Sequence, residues 1–545
     1  MIRRKLALVL FAATALVYML TAPGHLGTVD MRAELAVAQS MVSKADFTVS
    51  QDLPFVTVPY VVAPNGEHYS DHEIGQSLLL LPAALVGRIA GCTNPSSCPA
   101  TAQHDAEFAA SLLDGLAAAV AVMLMFLLAS ELGAEIGPSL VLALLFGFTT
   151  IEWAYAHDAF DVGPTTTALL LLLFAVVRGL RRDSMRWLLI GGVAAGAAVA
   201  LRLPSLVCLP FIAAYVVTST WRQGIVSSLR RLAVLGGPVA AALILVAWYN
   251  WVRFGDPLQA GYSLASDYYG FGSPLSGIAG ELFSPGRSVF LYSPILVAAL
   301  AGLPLLWRRY RALTVTIVAI VVANVVFYGA YVAWWGGWDW GPRYLVPMTP
   351  FLILPLLPLL QRWGDLPRIA RGAIYGLAAV GVLVQLLDIS VDFQHQLQLL
   401  REAGAAAPDA QWWTVQYSGI WRHGQAAAGL LSGSAAYPSS FQFTDLSTAM
   451  PVKTVLDVWW VYAWIDGVSP LVLITVVVGA VAVVVGLAQW VWRTSVVSPS
   501  ADLDQQEERV SATPAHSGRA QRSADLAPRL DEALQGLGGN DVSDK

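Results

Sequence analysis

The sequence predicts an all-helical protein that crosses a membrane many times. Of its 545 residues, 56% are hydrophobic and only 13% are charged, about half the charged fraction of a typical soluble domain. Apolar runs recur along most of the chain, and many approach the ~20 residues that cross a bilayer core. The net charge of −5 falls mainly in residues 501–545, so no basic stripe suits nucleic acid. A soluble enzyme and a secreted disulfide scaffold are also excluded.

Twelve apolar runs are expected to form transmembrane helices. In chain order they cover residues 6–22, 106–130, 137–151, 164–178, 187–201, 204–220, 232–252, 294–306, 312–333, 344–361, 371–388 and 468–492. Arginines cluster between these runs at residues 178–186, 222–231, 308–311 and 362–371. Because arginine and lysine are enriched in cytoplasmic loops, twelve spans place all four clusters and both termini in the cytoplasm. We therefore predict a multi-pass protein of the plasma (cytoplasmic) membrane.

One further apolar segment, residues 74–89, is interrupted by Pro82. Counting it as a span would move the arginine clusters outside, so we predict an interfacial helix in the first extracytoplasmic loop. The same loop holds Cys92 and Cys98, which either close a small disulfide loop outside the cytoplasm or remain two free thiols. Cys208 lies in an apolar run and is expected to be buried.

The expected organisation of the chain has four parts. Residues 1–388 form the main transmembrane region, and residues 389–467 form an extracytoplasmic segment rich in aromatic side chains. Residues 468–492 form the last transmembrane helix. Residues 493–545 lack apolar periodicity and are predicted to be a disordered cytoplasmic tail.

Ionisable residues close to the outer face of the membrane are the candidates for function, because such groups are costly near lipid. Asp30 follows the first run at the start of a predicted amphipathic helix, and its alternative role is that of a helix N-cap. Farther along, two histidines and three acids crowd into one segment: Glu67, His68, Asp71, His72 and Glu73. That segment is either a polar loop or a metal site, although its spacing matches no standard ligand set.

Two acids and three arginines complete the candidate set. Asp158 and Asp161 lie in a short outer loop, and Arg202 lies in the outer turn LRLP. Arg287 and Arg343 each precede a span within stretches rich in glycine, proline and aromatic residues, ELFSPGRSVFLYSP and WWGGWDWGPRYLVP. A guanidinium group suits bidentate contacts with phosphate. The alternative for each arginine is snorkelling or pairing with a nearby acid.

At these residues the chain resembles the GT-C fold membrane glycosyltransferases of family 39, near the protein O-mannosyltransferases and the lipid A aminoarabinose transferases. The resemblance rests on Asp30 after the first span, on the segment 69–82, and on the two arginine-containing stretches at 283–294 and 334–347. It implies a GT-C-like fold of about twelve transmembrane helices. It also implies transfer of a sugar from a polyprenyl-phosphate donor to an extracytoplasmic hydroxyl of a glycan, protein or lipid.

The resemblance also implies roles for individual residues. Asp30 would be the catalytic base, either Asp158 or Asp161 a second acid, and Arg287 and Arg343 the residues that hold the donor phosphate. Further substrate contacts are expected from Glu67, His68, Tyr69, His72 and Arg202. A divalent metal assists some members of the family, but no oxygen-rich ligand set is evident in the sequence.

Two other functions stay open at this stage. The chain could transport or flip a lipid-linked sugar, or it could be a non-catalytic subunit of envelope assembly that docks through its aromatic outer segment. Transporters often show internal repeats and broken helices at mid-membrane. The sequence shows no repeated halves, and its acids lie in outer loops. It also lacks a Walker A motif, which argues against an ATP-driven pump.

Overall fold

The fold is that of a computed structural model, which describes residues 2–49, 60–93, 98–261, 270–337, 339–391, 412–432 and 456–511. Its α-helices, in chain order, are α1 (Ile2–Thr21), α2 (Val29–Lys44), α3 (Ile74–Leu79), α4 (Leu81–Ile89), α5 (Ala100–Glu131), α6 (Ile136–Thr149), α7 (Glu152–His157), α8 (Val162–Arg181), α9 (Met185–Leu201), α10 (Leu209–Thr220), α11 (Ile225–Phe254), α12 (Pro274–Phe283), α13 (Val289–Tyr292), α14 (Ile295–Arg309), α15 (Arg311–Gly329), α16 (Thr349–Ile353), α17 (Leu357–Gln361), α18 (Arg368–Ile389), α19 (Gly419–Ser432), α20 (Trp459–Ile465) and α21 (Pro470–Ser511). Strands β1 (Val61–Val62) and β2 (His68–Tyr69) form an antiparallel hairpin with Val61 opposite Tyr69.

The predicted class, an all-helical polytopic membrane protein, is confirmed. Within the described residues, nine helical segments are long and apolar enough to cross a membrane. The predicted runs at 137–151, 187–201 and 294–306 form the shorter helices α6, α9 and α14, of 14, 17 and 15 residues. Each predicted run is mostly helical, with 3-10 turns at Leu203–Cys208, Arg343–Met348 and Leu354–Leu356, whereas a count of twelve spans stays a prediction.

The arginine clusters gather at one end of the helical bundle. Contacts that join them are Arg3 with the Ser130 carbonyl (3.2 Å), Arg178 with Glu131 (2.6 Å), Arg231 with Asp183 (2.5 Å), Arg309 with Gln361 (3.4 Å), and the Tyr310 hydroxyl with the Leu132 carbonyl. Side chains that lie far apart in the chain thus share one face, as the positive-inside rule requires. That this face is cytoplasmic stays a prediction.

A layer of short helices covers the opposite end of the bundle, which we call the outer end. The apolar face of α2, including Met31 and Leu35, packs against Ala84 of α4 and Ala106 of α5. The segment 74–89 does not form one continuous helix. It breaks between α3 and α4, where Pro82 occupies the first turn of α4, a position that proline fits because its missing N–H needs no partner there.

The structure describes all three cysteines. Cys92 and Cys98 form a disulfide next to α4, with 4.5 Å between their Cα atoms. Cys208 is buried and has a free thiol.

The C-terminal part of the chain differs from the expected organisation at one boundary. Residues 489–545 form a unit of their own, and α21 extends to Ser511, past the predicted end of the last span at residue 492. Propagation of an existing helix costs less than its nucleation, and glutamate, glutamine and arginine in this stretch are good helix formers. Residues 392–411 and 433–455 of the aromatic-rich segment, and residues 512–545 of the tail, lie outside the described residues.

Candidate functional site

Asp30 meets two positively charged partners at the outer end. The N-cap of α2 is Thr28, whose hydroxyl accepts a hydrogen bond from the Met31 N–H at 3.4 Å, so Asp30 lies in the first turn and is not the cap. Its Oδ2 accepts a hydrogen bond from Nη1 of Arg343 at 2.8 Å. The same oxygen lies 3.7 Å from Nε2 of His72. The carboxylate is 26% exposed and therefore open to a ligand.

Charge at this point shifts two pKa values in opposite directions. Burial alone would raise the pKa of the Asp30 carboxyl, but His72 and Arg343 hold it well below its ordinary range. Burial alone would lower the pKa of the His72 imidazole, but the carboxylates of Asp71, 2.9 Å from Nδ1, and Asp30 raise it well above 6.5. At neutral pH the site therefore holds an ionised Asp30 between two cations.

A second carboxylate, Asp339, fixes both of the predicted phosphate-binding arginines. Its Oδ1 lies 3.0 Å from Nη1 of Arg287, and its Oδ2 lies 3.0 Å from Nε of Arg343. Burial raises the pKa of Asp339 to about 6 in spite of the two guanidinium groups. Arg287 is buried and also donates to the carbonyls of Gly337 (2.5 Å) and Gly341 (2.6 Å). Arg287 thus braces the loop that carries Arg343.

The loop that carries Arg343 depends on glycine at position 341. Gly341 adopts φ +62°, in the left-handed region that glycine favours, and a Cβ there would lie 2.6 Å from the ring of Tyr292. Close packing of the backbone against Tyr292 brings the Gly341 carbonyl to Arg287. The glycine of the GPR sequence is therefore required for the geometry of the arginines.

Arg202 and Asp161 form an ion pair beside Arg343. Nη1 of Arg202 lies 2.8 and 2.9 Å from the two carboxylate oxygens of Asp161. The guanidinium groups of Arg202 and Arg343 lie 5.4 and 5.5 Å from the ring centroid of Tyr344, within the range of cation–π contacts. Asp161 and Arg202, both predicted site residues, therefore adjoin the Asp30 group.

Asp158 lies beside a different group, which we call the outer histidine cluster and define as His25, His157 and Asp457. Oδ2 of Asp457 lies 3.2 Å from Nε2 of His157, and Oδ1 lies 2.9 Å from Nε2 of His25. The other ring nitrogen of His157 lies 2.5 Å from the Thr21 carbonyl. Burial alone would raise the pKa of Asp457, but His25 and His157 lower it. Asp158 is 4.0 Å from His157.

The other predicted contacts of this segment lie in and beside the β-hairpin. Glu67 is exposed at the turn of the hairpin, and the His68 ring stands edge-on to Tyr60 at 4.4 Å. Tyr69 is buried against Phe254, with 6.0 Å between ring centroids. Within the segment 67–72, His72 is the predicted residue that the structure brings to Asp30.

Four residues of the outer end were missed by the sequence reasoning: Glu34, Arg253, Asp339 and Asp457. Glu34 is buried one helical turn after Asp30, and burial raises its pKa. Arg253 donates to the carbonyls of Ser70 and His72, at 2.5 and 3.2 Å, and so fixes the turn that presents His72. Two of them could have been found from the sequence, because Glu34 lies four residues from Asp30 and Asp339 lies four residues from Arg343.

The side chains do not fit a metal site of the kind that the resemblance allows. In the described parts of the chain, no three His, Cys, Asp or Glu side chains converge as metal ligands. The carboxylate of Asp30 is already engaged by Arg343 and His72. We derive no chemical step through a metal ion.

Comparison with known proteins identifies a related family. Residues 101–251 match the family model of the dolichyl-phosphate-mannose-protein mannosyltransferases. No curated relative matches the sequence. Among solved structures, the chain is similar to ArnT from Cupriavidus metallidurans bound to undecaprenyl phosphate, with 16% identity, a TM-score of 0.42, and coverage of 79% of this chain and 78% of that one. For the apo state of ArnT the identity is 14%, the TM-score 0.42, and the coverage 78% and 74%.

The chain is thus similar to membrane glycosyltransferases, and the resemblance expected from the sequence is confirmed by the family model. The matched residues 101–251 include the second to seventh predicted spans. They contain Asp158, Asp161 and Arg202, whereas Asp30 and Arg343 lie outside the match.

Proposed function

We propose that this protein is a membrane glycosyltransferase that moves a sugar from a polyprenyl-phosphate donor to an acceptor hydroxyl on the extracytoplasmic side. The observation that carries the proposal is the meeting of Asp30, Arg343 and His72 at the outer end. A partly exposed carboxylate beside two cations supplies the two functions that the reaction needs. One is a base for the acceptor, and the other is positive charge for the departing phosphate.

The reaction is a single displacement at the anomeric carbon. The acceptor hydroxyl gives its proton to Asp30 while its oxygen bonds to the sugar carbon. The bond between that carbon and the phosphate oxygen breaks, and its electron pair leaves with the lipid phosphate. Arg343, His72 and Arg202 stabilise the charge on that phosphate. The sugar carbon is inverted, and no nucleotide is consumed.

The same cations link donor binding to the basicity of Asp30. In the free protein, Arg343 and His72 hold Asp30 ionised and make it a weak base. A donor phosphate competes for these two cations and draws part of their charge away from Asp30. The proton affinity of Asp30 then rises when the donor is in place, which is when proton transfer is needed.

The contacts of the other arginine support a positioning role. Arg287 is buried and bonded to Asp339 and to backbone carbonyls, so it orients the loop of Arg343 and leaves the phosphate to Arg343 and Arg202. Either Asp158 or Asp161 is proposed as the second acid, and their surroundings differ. Asp161 acts through Arg202, and Asp158 lies near the outer histidine cluster.

An apolar groove next to these arginines suits the polyprenyl chain of the donor. Its volume is about 370 Å³, and its lining includes Val289, two residues after Arg287, and Leu345, two residues after Arg343. Its other walls include apolar side chains of α12, α14, α15 and α16. Because the donor chain would leave lipid and not water, van der Waals packing against these side chains would hold it there.

The test is transfer of label from polyprenyl-phosphate sugars in membranes that contain the protein. At least one donor of a labelled panel should give a product in which the labelled sugar has left its lipid, either free or linked to an acceptor. Membranes without the protein should not form this product. Arg343→Lys keeps the charge but loses the bidentate fork, so we expect a higher KM for donor. Arg88→Lys, at an exposed position of the same outer layer, is the matched control. Movement of intact donor across the membrane without transfer would instead indicate a transporter.

A further inference from the structure

A second charged cavity lies at the opposite, arginine-rich end of the bundle. It has a volume of about 500 Å³ and is bounded by the C-terminal ends of α14 and α17 and by the start of α6. Three arginines line it, Arg308, Arg309 and Arg362, together with one acid, Glu135. We call it the arginine cavity. It has no part in the proposed transfer reaction, which takes place at the outer end.

The charges that line the arginine cavity are unbalanced. Three arginines face one glutamate, Glu135. Arg309 is held by the Gln361 amide oxygen at 3.4 Å and lies over the Tyr310 ring at 5.4 Å. In the described part of the chain, no carboxylate lies within ion-pair distance of Arg308 or Arg362. The cavity therefore holds an excess of positive charge that the described residues do not neutralise.

The mixed lining of the arginine cavity favours an amphiphilic anion. Leu305, Pro138 and Pro358 form apolar wall below the arginines, and α14 and α6 continue from there as apolar helices. Cations at the ends of transmembrane helices lie at the level of lipid headgroups. Guanidinium forks match phosphate oxygens, and basic pockets between helices are suited to anionic headgroups.

We propose that the arginine cavity binds the phosphodiester headgroup of an anionic phospholipid of the adjoining leaflet. The phosphate lies between Arg308, Arg309 and Arg362, and the first acyl methylenes lie against Leu305 and Pro358. This inference is independent of the proposed glycosyl transfer, since a failure of either leaves the other standing.

The experiment measures lipid binding by the whole protein in detergent, by native mass spectrometry during titration with phosphatidylglycerol or phosphatidylcholine. The triple variant Arg308→Gln, Arg309→Gln, Arg362→Gln should bind phosphatidylglycerol at least ~10-fold more weakly than the parent protein, because each arginine near an anionic lipid contributes about fivefold. Binding of phosphatidylcholine should not change.

The matched control removes the same charge from the same end of the bundle. Arg186→Gln, Arg222→Gln, Arg230→Gln alters three exposed arginines outside the cavity and should retain binding within ~3-fold. Equal losses in both triple variants, or no preference for phosphatidylglycerol over phosphatidylcholine in the parent, would overturn the proposal. So would displacement of the lipid by millimolar inorganic phosphate, since the site would then recognise a free anion. If the triple variant unfolds, Arg362→Gln alone serves, with an expected loss of about fivefold.

Discussion

Replacement of Asp30 by asparagine separates catalysis from folding. The substitution keeps the side-chain volume and removes the carboxylate 2.8 Å from Arg343. Arg343 keeps a second carboxylate, Asp339, at 3.0 Å, so no buried guanidinium is left without a counter-charge. Loss of a positioned base costs ~10²–10⁴ in rate, or about 3–5 kcal/mol of transition-state stabilisation. We therefore expect Asp30→Asn to accumulate normally and to lose at least 99% of transfer.

The variant Asp339→Asn shows what the loss of a buried ion pair does to folding and is the comparison for Asp30→Asn. The Asp339 side chain is fully buried, and the Arg287 side chain is only 3% exposed. Asp339→Asn leaves Arg287 without the carboxylate that neutralises it, and breaking a buried pair in this way costs about 3–5 kcal/mol of folding stability. This variant should lose protein as well as activity.

The assay combines initial transfer rates with thermal unfolding of purified protein for both variants. Asp105→Asn, at an exposed acid on the outer part of α5, is the control and should match the parent in both measurements. A transfer rate for Asp30→Asn above one third of the parent rate would refute the assignment of Asp30 as base. A loss of folded Asp30→Asn equal to that of Asp339→Asn would show that Asp30 is a structural ion pair.

Three further predictions address the charge, topology and covalent structure of the outer end. Because its pKa is raised, His72 stays protonated at neutral pH and loses its positive charge only as the pH rises through that pKa. The value of kcat/KM for donor should therefore fall at alkaline pH. The variant His72→Gln should have a lower kcat/KM at neutral pH and should not show the alkaline fall. Reporter fusions at Arg182 should be cytoplasmic and fusions at Leu275 external; an external signal at Arg182 would contradict the twelve-span topology. Cys92 and Cys98 should resist a maleimide in native membranes until a reductant is added, and immediate labelling of both would exclude the disulfide.

Much of the fold could be predicted from the sequence because lipid imposes a simple rule on each segment separately. Each apolar run is mostly helical, and Pro82 lies at the break in the interfacial segment. Span number is harder to predict, since α6 and α14 are only 14 and 15 residues long. Whether such helices cross a bilayer depends on packing and tilt as well as on composition.

The candidate site could be predicted only as a set of residues, because pairing between distant charges leaves no local pattern. Asp30 and Arg343 were both selected, but nothing in the sequence indicates that they meet across 313 positions. Arg287 and Arg343 looked equivalent, each beside glycine, proline and aromatic residues. They differ because Arg287 is buried among backbone carbonyls, whereas Arg343 reaches Asp30.

The outer histidine cluster has a consequence for how the protein is made. Asp457 binds His25 across 432 positions of the chain and His157 across 300. The segments that carry His25 and His157 are therefore synthesised long before the carboxylate that joins them. Until then the two imidazoles have no such counter-ion, and the outer end stays incomplete. A nascent chain that stops before residue 457 would contain every proposed catalytic residue and still lack the carboxylate that joins His25 to His157.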